Sequence, residues 1–258
     1  MKMQTFVTTM NTGERTAKTI ENVLLTLSSI MGSARKWGYK VPEVSLSDLS
    51  LPPRVKVKPR CYSEDDMKRI VSFADEPLGT ICFVLCSTGM RIGEVLALRL
   101  EDLDFKRQLI HVRSSVYAGI LGTPKSEASL APLPMPPVLT TRLKTFLASK
   151  HYRQNDLDLL FANRKKRPFS ANKLREKKLH PLLTSLGIPV AGFHAFRHGV
   201  ATSLIDRGAS IATVGAQLRH SDPRITLGLY AHVVPQSQRE AVEGLASALS
   251  SDQLLTQH

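Results

Sequence analysis

Residues 193–233 read FHAFRHGVATSLIDRGASIATVGAQLRHSDPRITLGLYAHV, and the spacing of their apolar side chains sets the class of fold. Helical patterns run over 195–207, 210–218 and 223–230. His194 and Arg197, three apart at the start of the first pattern, share a face near its positive end, which suits an anion. The same spacing also decorates solvated helix faces, so the pair alone decides nothing. His220 ends a short helix beside Arg219, and Tyr230 follows ten residues later. Taken alone, Tyr230 reads as a half-buried aromatic with a polar tip.

Upstream, CYSEDDMKRIVSFA (61–74) opens a helix: Ser63 is an N-cap, Asp66 completes an S-x-x-D capping box, and the first-turn acids complement the helix dipole. Apolar residues 81–85 then lead into STGMRIGEVLALRLEDLDF (87–105), where Gly89 stops one helix and the next presents Ile92, Val95, Leu96 and Leu98 inward. Arg91 lies just past that glycine, with Glu94 three residues on and able to orient its guanidinium; by itself this is an ordinary surface ion pair. Segments 107–119 (RQLIHVRSSVYAG) and 126–135 (SEASLAPLPM) have the alternation of strands, joined through GILGTPK (119–125). They predict a short antiparallel sheet with a basic hairpin, whose Lys125 alone is a solvated turn lysine. Helical patterns return at 138–150, 170–186 and 237–250. The predicted fold is therefore mainly α with a small antiparallel β-sheet, an α+β arrangement.

Toward the N-terminus, Ile20, Leu24, Leu27, Met31 and Ala34 form the stripe of an amphipathic helix over 16–37, with Gly38 placed to stop it. Segment 42–60 carries four prolines and the cations Arg54, Lys56, Lys58 and Arg60, without helical period, and reads as a positively charged linker.

Lys and Arg number 35 against 22 Asp and Glu, a formal charge of +13, which favours a polyanionic partner through counterion release. Nucleic acid is the first candidate. An anionic membrane would call for a basic amphipathic helix or lipid anchor; the N-terminus shows neither a myristoylation pattern nor a signal-peptide core, and no apolar run approaches a bilayer span. A cytoplasmic location is expected. Cys82 and Cys86, four apart in an apolar segment, are expected to face a core, and Cys61 is distant in sequence, so no zinc site is expected.

Two arginines, two histidines, a lysine and a tyrosine in this order resemble the catalytic set of the tyrosine recombinases, the phage integrase family of site-specific DNA recombinases. The resemblance runs along 87–105, along TPKSEASLAPLPM (123–135) and along 193–233, where H-x-x-R-H is followed by R-H and Y-A-H. It implies that Arg91 and Arg197 clamp the non-bridging phosphate oxygens, where fixed cations stabilise the charge that builds in a five-coordinate transition state. It further implies that His220 donates to such an oxygen, that His194 assists proton transfer or the phosphate, and that Lys125 protonates the departing 5′ oxygen. Tyr230 would be the nucleophile, conserving the energy of the broken linkage in a 3′-phosphotyrosyl bond, with no metal, ATP or other cofactor. The implied partner is double-stranded DNA, bound by a homotetramer.

The same resemblance divides the chain into a partial N-terminal core-binding helical segment (1–51), a basic linker (52–60) and a catalytic domain with a C-terminal tail helix (61–258). Residues 16–41 resemble only the last helix of the family's N-terminal domain, so that segment is expected to be truncated. Two departures lie near the active residues: Arg219 stands where a glycine usually precedes the histidine, where it would add a phosphate contact or crowd the pocket, and Gly199 stands where Ser or Thr commonly follows R-H. Two other activities fit the same residues, a type IB topoisomerase-like nicking and resealing, and a non-catalytic DNA-binding remnant.

Overall fold

A computed structural model of the chain describes residues 3–11, 13, 15–42, 48–53, 60–122, 131–219, 242–243 and 246–247. The chain divides into two compact units, Met1–Lys58 and Pro59–His258.

The first unit holds two helices, α1 (Met3–Met10) and α2 (Ala17–Lys36). Thr16 caps α2 by accepting from the Thr19 backbone N–H at 3.2 Å, and Arg35 and Lys36 sit in its last turn, where cations complement the dipole. Of the predicted stripe, Ile20 and Leu24 are buried while Leu27, Met31 and Ala34 are half-buried. Ile20 and Leu24 meet Val7 and Met10 of α1, with Leu49 and Leu51 packed alongside. The sequence reading contained only α2; the eight residues of α1 are too short to declare a period, and tertiary packing rather than propensity holds them.

The second unit is built around α4 (Leu78–Thr88), apolar on every side and correspondingly enclosed, with Ile81, Cys82, Val84 and Leu85 fully buried. Cys86 is half-buried against the same core and Cys61 is exposed. Before α4 comes α3 (Glu64–Phe73), whose Ser63–Asp66 capping box forms with both bonds at 3.1 Å. After it, Gly89 closes the helix in the left-handed conformation at φ 69°, and α5 (Ile92–Val95) is a single turn. Across α4 lies α6 (Pro137–Leu147), tied to it where Arg142 meets Glu76 at 2.5 Å and Thr80 at 3.0 Å.

Among the described residues there are two small sheets where one was predicted. Strands β1 (Leu103–Asp104), β2 (Leu109–Ile110) and β5 (Leu133–Pro134) form an antiparallel sheet in the order β1-β2-β5, while β3 (Ser115–Tyr117) and β4 (Ile120–Gly122) form a separate hairpin. The predicted turn GILGTPK is thus partly strand. Ala118 and Gly119 make the turn, both at positive φ (51° and 84°), whose twist matches paired strands. Residues 123–130, with Lys125, lie outside the described residues.

The predicted helix 170–186 is three joined pieces: α7 (Ala171–Leu174), a π-helical stretch Arg175–Leu179, and α8 (His180–Ser185). Next come α9 (His194–Asp206) and α10 (Ile211–Leu218), each within a residue of its predicted start. The predicted helix 223–230 lies outside the described residues, and of 237–250 only residues 242, 243, 246 and 247 are described, all helical. No helix among the described residues is long and apolar enough to cross a membrane.

Candidate active site

Three backbone breaks of the second unit converge: the turn after α4, the start of α9 and the end of α10. Gly89 makes the first contact. A Cβ there would lie 2.5 Å from Leu218 Cδ2, and Val200 of α9 packs on the other side. Gln217 of α10 reaches the same turn, its Nε2 donating to Thr88 O at 2.9 Å.

Arg197 locks the convergence. The sequence reading allowed a solvated helix face; instead the side chain is buried, with Nη1 donating to Gly89 O at 2.8 Å and Nη2 donating to Leu218 O. One guanidinium therefore satisfies the orphan carbonyl ends of two helices, as a planar fork of donors can. Burial first, and the neighbouring Arg91 charge second, pull Arg197 down to about 9 from the usual guanidinium range, which leaves it charged at neutral pH.

Arg91 is the N-cap of α5, and its spacing to Glu94 works as the sequence suggests: Nη1 lies 3.0 Å from Glu94 Oε1, and the Arg91 backbone N–H donates to Glu94 Oε2 at 2.9 Å. This is not a surface pair. The Glu94 side chain is buried, whereas that of Arg91 is 39 % exposed. Glu94 also receives Arg219, whose Nη2 stands 2.5 Å from Oε2.

That second partner was not legible in the sequence. Arg219 is the C-cap of α10 and adopts the left-handed conformation, φ 53° and ψ 50°, which explains why a glycine suits the position. Its side chain turns inward to near-complete burial rather than outward to solvent. Three guanidiniums and one carboxylate thus share a small volume, a surplus of two positive charges.

His194 opens α9, its ring edge-on to His198 at a centroid distance of 4.7 Å. Desolvation, then the charges of His198, Arg197 and Arg91, lower His194 to about 4, so the ring is neutral at physiological pH. His198 is lowered too, by desolvation and by Arg197. Of the six residues singled out in the sequence, Arg91, Arg197 and His194 are brought together; Lys125, His220 and Tyr230 lie outside the described residues.

Gly199 has a steric explanation. A Cβ at that position would overlap the Tyr62 carbonyl oxygen. Tyr62 lies along α9, its N–H donating to Ala195 O at 3.2 Å and its hydroxyl donating to Ala191 O at 2.9 Å. The glycine is the clearance for that approach.

Residues 61–237 match the model of the phage integrase family. The chain belongs to that family, the tyrosine recombinases. Among its integrase relatives, the Tyrosine recombinase XerC-like protein of Caldanaerobacter subterraneus is 28% identical over 216 residues, covering 74% of this chain and 55% of that protein. Tyrosine recombinase XerA of Pyrococcus furiosus is 27% identical over 199 residues, 74% of this chain and 64% of its own. The chain therefore spans between about half and two thirds of the length of these recombinases. Among solved structures, the Tn1549 transposon integrase in complex with transposon right end DNA superposes with a TM-score of 0.77 at 21% identity, covering 94% of this chain and 84% of that one. The lambda integrase dimer bound to a COC′ core site does so at 0.61 and 14%. At such identities the likeness is one of fold, and the fold is that of the integrases.

Proposed function

We propose that this chain is a site-specific recombinase that breaks and rejoins double-stranded DNA through Tyr230. The observation that carries the reading is the grouping of Arg91 and Arg197 near one buried carboxylate, with the neutral His194 ring beside them, so that fixed cations exceed anions. Such an excess suits a phosphodiester: preorganised donors stabilise the charge that accumulates on its non-bridging oxygens as phosphorus becomes five-coordinate.

In this reading the Tyr230 phenolate attacks phosphorus, the P–O5′ bond breaks, and Lys125 gives its proton to the departing 5′ oxygen. Arg91, Arg197 and His220 hold the non-bridging oxygens. His194, neutral in the free protein, accepts or relays the phenolic proton. The 3′-phosphotyrosyl bond retains the energy of the broken linkage, so a 5′ hydroxyl from a second duplex reverses the step without metal or ATP. Exchange between two duplexes places four copies on the DNA, through a Holliday junction. The family, the fold shared with DNA-bound integrases and the charge of +13 support this reading.

The test is a duplex nicked beside the cleavage site, incubated with the protein in EDTA. A covalent adduct that survives SDS is expected from the parent and not from Tyr230→Phe. An adduct persisting in that variant would overturn the assignment of the nucleophile.

A further inference from the structure

We propose that Arg219 is a positioning residue that takes up the charge of Glu94 and so leaves the cationic charge of Arg91 directed at phosphate. The inference rests on the function proposed above and adds a group outside the six residues named there.

Position 219 ends α10 at φ 53°, where an arginine is strained and a glycine is not. The residue present is nevertheless a guanidinium, and it is 3 % exposed. A charge so enclosed requires a counter-charge, and the counter-charge is Glu94 Oε2 at 2.5 Å. Glu94, itself buried, has only one negative charge to divide: Oε1 faces Arg91 Nη1 at 3.0 Å, while Oε2 faces Arg219 and the Arg91 backbone N–H.

With two guanidiniums on one carboxylate the group sums to +1, and Arg91 is its solvent-facing member at 39 % side-chain exposure. Were residue 219 glycine, Glu94 would neutralise Arg91 one to one. Arg197 adds its own charge to the same volume, but its two terminal nitrogens donate to the Gly89 and Leu218 carbonyls, so the hydrogen bonds to the Glu94 carboxylate come from Arg91 and Arg219. Arg219 therefore acts on an arriving phosphate through Glu94 and Arg91, without touching it.

The test uses the full chain and four variants: R219G, R219K, E94Q and the double variant R219G/E94Q. Inorganic phosphate is titrated against the Arg91 amide and Nε–H signals by NMR, and adduct formation is timed in single turnovers with saturating nicked duplex. Loss of one nearby cation in R219G is expected to weaken phosphate binding about tenfold and to slow adduct formation by a similar factor. R219K should retain most of both.

Removing the charge of Glu94 as well should restore phosphate affinity and rate in the double variant, which a residue serving only to fill space would not allow. Unchanged phosphate affinity in a folded R219G, or no rescue by E94Q, overturns the proposal. R219M, which keeps bulk and removes charge, takes the place of R219G if the latter does not fold. If the parent forms no adduct, the recombinase reading fails, while the phosphate titration still decides the role of Arg219.

Discussion

Glu94 Oε2 and Arg219 Nη2 stand 2.5 Å apart, with the two side chains 4 % and 1 % exposed. Their residues are 125 positions apart in the chain, so the pair closes the turn after α4 onto the end of α10. An ion pair in such a place gives modest net stability while intact, because both ions have lost their water, but breaking it strands a charge. Glu94→Ala removes the buried carboxylate from both Arg219 and Arg91. It is expected to lower stability by about 3–5 kcal/mol. Urea unfolding followed by circular dichroism measures this, and a loss below about 1 kcal/mol would place the pair among exposed bridges.

Gly199→Ser introduces the residue type that the family resemblance led one to expect here and is nonetheless expected to destabilise. The added Cβ overlaps the Tyr62 carbonyl, backbone held by bonds at Ala191 and Ala195, so the segment must shift or α9 must bend. A cost of about 1–3 kcal/mol is expected, as for other overpacked sites. Thermal unfolding of the two proteins side by side decides it; equal midpoints would show that the segment yields freely.

His194 should titrate near 4 in the free protein, against an ordinary value of 6.5. Because the folded value is the lower one, the unfolded chain takes up the proton first as pH falls. Stability owed to this group is complete above pH 6.5, declines as pH drops toward 4, and levels off below. Phosphate or DNA brings negative charge to the same place and should raise the value, since it offsets the Arg91 and Arg197 charges. Imidazole NMR shifts against pH, with and without duplex, measure both effects; a His194 titrating near 6.5 without ligand would contradict the crowding described.

Affinity for duplex DNA should fall steeply with salt, as phosphate contacts require. Arg91→Ala is expected to reduce the slope of log affinity against log salt by about 0.9, the share of one contact on B-form DNA. Fluorescence anisotropy at several salt concentrations provides the slope. An unaltered slope would remove Arg91 from the phosphate contacts.

Local signals in the sequence carried far. The Ser63–Asp66 box, the stop at Gly89, the Arg91–Glu94 pair and the start of α9 each depend on residues within a few positions of one another, and each formed. What failed depended on depth or distance. A spacing of three puts His194 and Arg197 on one face but does not say that Arg197 is sunk onto the Gly89 and Leu218 carbonyls. Arg219 was opaque because its partner arrives from a remote turn. Segments 107–119 and 126–135 do pair, Leu109 and Ile110 against Pro134 and Leu133, but the tighter hairpin between them left no signal, because Ala118, not a customary turn former, takes positive φ. The wider turns at 175–179 left no trace in the apolar spacing, since Leu174, Leu179 and Leu183 still fall inward.

The attachment of residues 60–62 has a mechanical meaning. Arg60 Nη1 donates to Val190 O at 2.6 Å, and Tyr62 grips Ala191 and Ala195, so the entering chain is fastened to the few residues that begin α9. A pull transmitted along the chain from upstream is borne first by the helix that carries His194 and Arg197, not by the core behind it. The segment thus fixes the point where the chain enters the second unit to the approach and first turn of that helix.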